Sequence, residues 1–212
     1  MNRWILVGTV YCIAGTSLAF GADSAWYVGA SLGQVKSHYS SKDANSLGYD
    51  AGYRLDNSDT GAKLFGGYSF TSNWGAEFGY VDLGTATFSG TSSGAANQDQ
   101  FSAKGVVLSA IGTWPLGNDF SVLGKLGAIT AKTQYNCVQN CAAIQSNEKT
   151  GVYAALGIGA QYKITNNVSL RTEYERFNGV KSEATGAGAS AGASASWKSN
   201  YDLLSLGVVY KF

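Results

Sequence analysis

Along most of this chain apolar and polar residues alternate with a period of two, and the alternation predicts eight β-strands. They lie near Ala25 to Val35, Thr60 to Phe70, Trp74 to Leu83, Phe101 to Thr113, Phe120 to Lys132, Thr150 to Tyr162, Val168 to Asn178 and Tyr201 to Phe212. Short segments, Thr71 to Asn73, Trp114 to Asp119 and Lys163 to Asn167, join some neighbours. Long polar segments, Lys36 to Asp59, Gly84 to Gln100, Thr133 to Lys149 and Gly179 to Asn200, join the others. Strands connected in this order form an up-and-down antiparallel sheet with short turns at one end and long loops at the other. Both termini then fall at the turn end.

One face of these strands is nearly free of charge. It carries Trp26, Val28 and Leu32, then Leu64, Phe78, Tyr80, Val106, Leu108 and Leu126, and later Val152, Leu156, Ile158, Leu204, Leu206 and Val208. The opposite face holds Ser31, Lys63, Ser69, Glu77, Lys125, Gln161, Arg171, Glu173, Glu175 and Lys211 among glycines. Aromatic residues gather at strand ends: Trp26, Phe70, Trp74, Phe120, Tyr162, Tyr210 and Phe212. A soluble barrel or sandwich would bury the apolar face instead, and periodicity alone does not say which face points outward. The aromatic strand ends, the shared end of the long loops and the segregated charges favour an all-β, eight-stranded antiparallel up-and-down transmembrane β-barrel.

Composition agrees. Gly at 28 and Pro at 1 suit strands fitted around a curved sheet. The net charge of +1, from 15 basic and 14 acidic residues spread along the chain, offers no stripe for phosphates of nucleic acid. At the N-terminus Arg3, the apolar run Trp4 to Ile13 and the small residues Ala14 to Ala22 read as a signal peptide over residues 1–21, with 22–212 as the barrel domain. Cleavage after Gly21 satisfies the small-x-small rule, and Ala19 is the alternative site. Cys12 then leaves with the peptide, and no lipid anchor is expected. No later stretch approaches the ~20 apolar residues of a membrane-spanning helix.

Several fragments carry a family resemblance: Trp26-Tyr-Val-Gly-Ala-Ser-Leu-Gly33, Phe65-Gly-Gly-Tyr68, Gly75-Ala-Glu-Phe-Gly-Tyr80, Arg171-Thr-Glu-Tyr174 and Leu204-Ser-Leu-Gly-Val-Val-Tyr-Lys-Phe212. In order and spacing they resemble the eight-stranded transmembrane domain of the outer membrane protein A family, over nearly the whole mature chain. The resemblance implies integral insertion in the bacterial outer membrane, contact with its lipids and lipopolysaccharide, and a last strand whose Tyr210 and Phe212 signal to the barrel assembly machinery. It also implies an inward charge ladder whose principal pair is Glu77 and Arg171, with Lys125 and Glu173 as alternative partners. Turn distance supports the pair independently, since Glu77 lies four residues after Asn73 and Arg171 four after Asn167. A second Lys and Glu of the ladder are replaced here by Ile111 and Gln161. Long relatives continue into a peptidoglycan-binding domain, and the chain, ending at Phe212, is expected to lack that anchorage.

Candidate chemistry is sparse. Cys137 and Cys141 form a Cys-x-x-x-Cys pair in the third long loop, read as a loop-local disulfide in an oxidising compartment. A metal site competes, but zinc would need two further ligands and no His accompanies the pair. His38, the only histidine, is followed by Ser40 and reads as a surface residue. A lipid A hydrolase would need it to find a carboxylate and an oxyanion site. The Gly, Ala and Ser run between Glu183 and Trp197 reads as a mobile loop tip. The expectation is a non-enzymatic structural and surface-exposed barrel with a plugged polar interior, without cofactor or metal. Its loops are open to host-surface or phage contacts. A narrow small-solute pore gated by the Glu77–Arg171 bridge is the alternative, and the lipid A hydrolase the remote one.

Overall fold

The computed structural model describes residues 25–39, 43, 49–92, 94–139, 147–185 and 194–212. The expected signal peptide, Ser40, Cys141 and the middle of the Gly/Ala/Ser run lie outside them. Nine strands occur among the described residues: β1 (Ala25–Ser37), β2 (Arg54–Asp56), β3 (Ser58–Ser69), β4 (Trp74–Ser92), β5 (Ala95–Pro115), β6 (Phe120–Gln139), β7 (Asn147–Lys163), β8 (Val168–Thr185) and β9 (Ser194–Lys211). Every strand pairs antiparallel with its neighbour, and β9 closes on β1. Eight strands therefore form a ring, and β2 is a short piece that continues the line of β3 along upper β4.

The register fixes the barrel's shape. Following partners around the ring from Trp26 leads through Tyr68, Ala76, Ala110, Leu126, Leu156, Arg176 and Asp202 to Lys36. The path returns to β1 ten residues above its start. With ~3.3 Å per residue and ~4.8 Å between strands, that shear tilts the strands by about 40° and makes an interior that side chains fill. Each step to the next strand then climbs about 3 Å along the barrel axis. The same reckoning sets Trp26, Trp74, Trp114, Phe120, Tyr162 and Tyr210 within about 4 Å of one plane at the turn end. Lys36, Lys104 and Lys132 stand about 25 Å above it, the height of the apolar band of a membrane barrel. No helix among the described residues is long and apolar enough to cross a membrane.

The apolar face points outward. Leu32, Leu64, Leu126, Val152, Ile158 and Leu206 are all more than half exposed, whereas Ser31, Lys63, Glu77, Lys125, Arg171, Glu173 and Glu175 are buried inside. From the turns up through the apolar band the alternation is unbroken, so there each strand keeps one lipid face and one lumen face, and only above it do bulges shift the parity of β4 and β8.

Three of the expected long loops are corrected. Gly84 to Gln100, Thr133 to Lys149 and Gly179 to Asn200 are largely strand, since β4 runs to Ser92, β5 begins at Ala95, β6 runs to Gln139 and β9 begins at Ser194. Polar sequence hid them, because above the apolar band both outer and inner positions tolerate polar residues while backbone groups still need partners. Trp197, placed in the Gly/Ala/Ser run, is buried rather than at a mobile tip. It belongs to a second core at the hairpin end, where Phe101 packs at ring distances of 5.1 Å on Tyr135 and 5.4 Å on Trp197. Phe88, Phe177, Tyr201 and Leu203 complete it.

Candidate functional site: the interior charge cluster

Six ionisable side chains meet in the middle of the lumen. Lys63 rises from β3, Glu77 from β4, Lys125 from β6, and Arg171, Glu173 and Glu175 from alternate positions of β8, which alternation turns inward together. Three cations and three anions balance. Lys63 Nζ donates to Glu173 at 2.6 Å and to Glu175 at 2.5 Å. Lys125 Nζ donates to Glu77 and lies 2.5 Å from Glu173 Oε1 and 3.8 Å from Glu175. Arg171 Nη1 donates to Glu77 Oε2 at 2.7 Å, while its Nε donates to Gln161 Oε1 at 2.9 Å.

The structure thus brings together Glu77, Arg171, Lys125 and Glu173. Lys125 and Glu173 do not wait as alternative partners: both are engaged at once, and Glu77 bridges Lys125 and Arg171. Alternation along the sequence turns Lys63 and Glu175 inward but does not join them to the cluster. Their parity with Phe65 and Glu173 was the available signal. Gln161 takes a neutral role at the edge of the cluster, and Ile111 is a buried apolar contact lower in the barrel.

Below the cluster lies an aromatic floor. Lys63 Nζ stands 5.0 Å and Lys125 Nζ 5.4 Å from the centre of the Phe65 ring, with the Arg171 guanidinium at 5.2 Å. Tyr27 lies beneath Arg171 at 5.3 Å and turns its hydroxyl to Glu77 Oε2 at 3.4 Å. Phe65 leans over its direct partner on β1 only because that partner is a glycine: a Cβ at Gly29 would lie 2.4 Å from the ring. Buried ions cost several kcal/mol each to desolvate, and this cost is offset only where every charge is met, as here. Beneath the floor a mouth of about 400 Å³ opens at the turn end, bordered by Arg171, Gln161, Asn73 and Lys211.

Above the cluster the aromatic core packs inside the barrel. At its centre Asp99 is fully buried and accepts hydrogen bonds from Tyr135 at 2.6 Å, Tyr49 at 2.9 Å and Asn97 at 3.3 Å. Burial, then the bond and charge of Asp99, raise both tyrosine hydroxyls above their usual range. Phe101, Phe177, Tyr201 and Leu203 of this layer lie in predicted strands, but Asp99, Tyr49, Asn97, Tyr135 and Trp197 come from segments that read as loop, which hides the layer in the sequence.

Of the other candidates, Tyr210, Phe212 and His38 lie on the outside, while Cys137 packs against the aromatic core. Tyr210 and Phe212 pack at 5.2 Å between rings at the turn end, facing outward. His38 is exposed, as expected of a surface residue, and its Nε2 sits 2.8 Å from Asp202 Oδ2, while Asp202 also accepts two bonds from Arg176 at 2.7 and 2.9 Å. Cys137 is disulfide-bonded, with its partner outside the described residues. No group of metal-ligating side chains occurs among the described residues.

A closed eight-stranded ring with an apolar exterior, an aromatic belt and buried charges inside defines an integral outer-membrane β-barrel. The sequence profile of the OmpA-like transmembrane domain matches residues 21–212, and the chain belongs to that family. It is 30% identical over 196 residues to outer membrane protein A of Shigella dysenteriae, covering 90% of this chain and 49% of that protein. To outer membrane protein A of Yersinia pseudotuberculosis it is 32% identical over 194 residues, covering 90% and 49%. The chain thus spans about half the length of these relatives. Among solved structures, Neisserial surface protein A superposes with a TM-score of 0.55 at 14% identity, covering 88% of this chain and 97% of that one. OprG from Pseudomonas aeruginosa gives 0.56 at 16%, covering 90% and 96%. These two share the fold. As an integral barrel of the outer membrane, the protein sets its apolar face against the membrane lipids.

Proposed function

We propose that the protein is a closed, non-enzymatic structural and surface-exposed barrel, with its turn end in the periplasm and its hairpin end outside the cell. What supports this reading is a lumen filled with side chains at two levels, by the neutral charge cluster with Phe65 and by the aromatic core around Asp99. A gate confined to Glu77 and Arg171 frees only the lower level. Partner exchange within the cluster is at hand, because Glu77 touches two cations and Glu173 three, so the small-solute pore is the second reading. It requires Phe101, Tyr135 and Trp197 to move as well.

In the same reading residues 1–21 are removed as a signal peptide, and Cys137 pairs with Cys141. The Tyr210/Phe212 strand end addresses the assembly machinery, and the hairpin end meets lipopolysaccharide, host surfaces or phage. Planar bilayers containing the purified barrel test the central claim. No conductance steps are expected, and sustained ohmic steps from the unaltered protein overturn it. An unchanged lipid A mass after expression is expected, and loss of an acyl chain refutes the non-enzymatic reading.

A further inference from the structure

The ladder between β7 and β8 ends early. Pairing runs from Lys163 and Ser169 up to Ala154 and Asn178, although β7 begins at Asn147 and β8 continues to Thr185. At that height Gly179 takes a φ of +69°, and the β8–β9 register shifts between Phe177 and Val180. Such a bulge bends a strand. Above it β7 pairs only with β6 and β8 only with β9. The buried Thr133 hydroxyl closes the seam from inside, 3.2 Å from the Lys149 carbonyl oxygen and 2.9 Å from that of Lys181.

A surface cleft of about 480 Å³ opens at this seam, bordered by Lys149, Lys181, Lys198, Asn178, Tyr153 and Gly179. Lys149 is paired with Glu183 at 2.7 Å. Lys181 and Lys198 are exposed and stand directly opposite each other across β8 and β9. Neither has a carboxylate within ion-pair distance among the described residues. Like charges directly opposite in a sheet are destabilising, and an anion held between them removes that penalty. Gly179 keeps the cleft clear, since a Cβ there would lie 2.4 Å from Lys198 Cε.

Position selects the anion. By strand rise and tilt, Lys181 and Lys198 stand about 30 Å above the aromatic belt, a few ångströms beyond an apolar band of ~25 Å. That is headgroup depth, on the outward side of the wall. We propose that the cleft binds phosphate groups on the sugar headgroup of an outer-leaflet glycolipid, held between Lys181 and Lys198 with Lys149 at the rim. Lysine ammoniums suit phosphate as point charges that need no fixed fork geometry. The proposal rests on the orientation given above, with the hairpin end outside the cell.

Native mass spectrometry of the folded barrel in detergent tests it, with bisphosphorylated lipid A, its dephosphorylated form and inorganic phosphate as separate probes. A one-to-one adduct with the bisphosphorylated lipid is expected, weakened about tenfold in the double variant Lys181→Gln with Lys198→Gln, a loss equivalent to ~1.4 kcal/mol. The double variant Lys163→Gln with Lys211→Gln, which removes the same charge at the turn end, is expected to bind unchanged. Equal adducts with the dephosphorylated lipid, undiminished binding by the cleft variant, or inorganic phosphate binding as tightly as the lipid each overturn the proposal. Heat-modifiable gel migration of every variant confirms that the barrel is folded. Labelling of Ser196→Cys on intact cells by an impermeant maleimide reports orientation separately. Absence of that label refutes the orientation, and with it the glycolipid as source of the phosphate, whatever adducts form.

Discussion

Replacing Glu77 by Gln removes one charge from a cluster that is neutral only as a set of six. Glu77 uses both oxygens, one toward Lys125 and one toward Arg171 at 2.7 Å with the Tyr27 hydroxyl at 3.4 Å. A glutamine keeps one acceptor oxygen and turns an NH2 group toward a cation that can only donate, so one of the two contacts becomes a clash of donors. The side chains of Glu77, Lys125 and Arg171 are 6%, 2% and 5% exposed, which leaves no solvent to absorb the surplus positive charge. Breaking a buried pair in this way costs about 3 to 5 kcal/mol. Adding Arg171→Gln restores neutrality, and the coupling between contacting sites of about 0.5 to 3 kcal/mol should return as recovered stability. Urea unfolding in lipid vesicles, followed by tryptophan fluorescence, measures both variants against the unaltered barrel. Bilayer conductance of the same samples separates a structural pair, which changes stability alone, from a gate, which raises the open fraction. Strictly additive losses in the double variant would refute the reasoning, because they would mean that Glu77 and Arg171 do not feel each other.

Arginine at Leu156 or Leu206, both outward near mid-height of the apolar band, should cost about 2 to 4 kcal/mol in vesicles, while Ser196→Arg in the exposed hairpin should fall within about 0.5 kcal/mol of neutral. Phe101→Ala should remove about 3 to 5 kcal/mol, with amide exchange rising at the hairpin end while the charge cluster stays protected. The raised tyrosines predict alkaline lability. Above about pH 10 the unfolded chain releases the protons of Tyr49 and Tyr135 while the folded barrel retains them, so stability falls with rising pH by about 1.4 kcal/mol per unit for each. Tyr135→Phe should lower that slope, and an unchanged pH profile of the urea midpoint would show that its hydroxyl is not buried against Asp99. Mass analysis with and without reduction before alkylation should show Cys137 protected from the reagent until it is reduced.

Period-two alternation made the eight strands legible because each strand of a membrane barrel sits between two solvents of opposite character, lipid outside and packed lumen inside. The same alternation turned Lys63, Glu77, Lys125 and Arg171 inward, residue by residue, and the three short turns marked one end of the barrel. Turn distance and the family resemblance pointed to the Glu77–Arg171 pair, but the rest of the network, with Lys63 and Glu175, could not be read there. Lys63 and Glu175 are 112 positions apart and Glu77 and Arg171 94, and only the ten-residue shear of the closed ring brings such residues to one height. Periodicity also failed above the lipid. Once the outer face meets water it need not be apolar, so upper β4 to β9 read as polar loops although their backbones pair and their inner aromatics pack. The Asp99 core and the split between β7 and β8 are therefore products of tertiary structure alone, since each arises where distant strands converge or part, and no local run of sequence carries a sign of either.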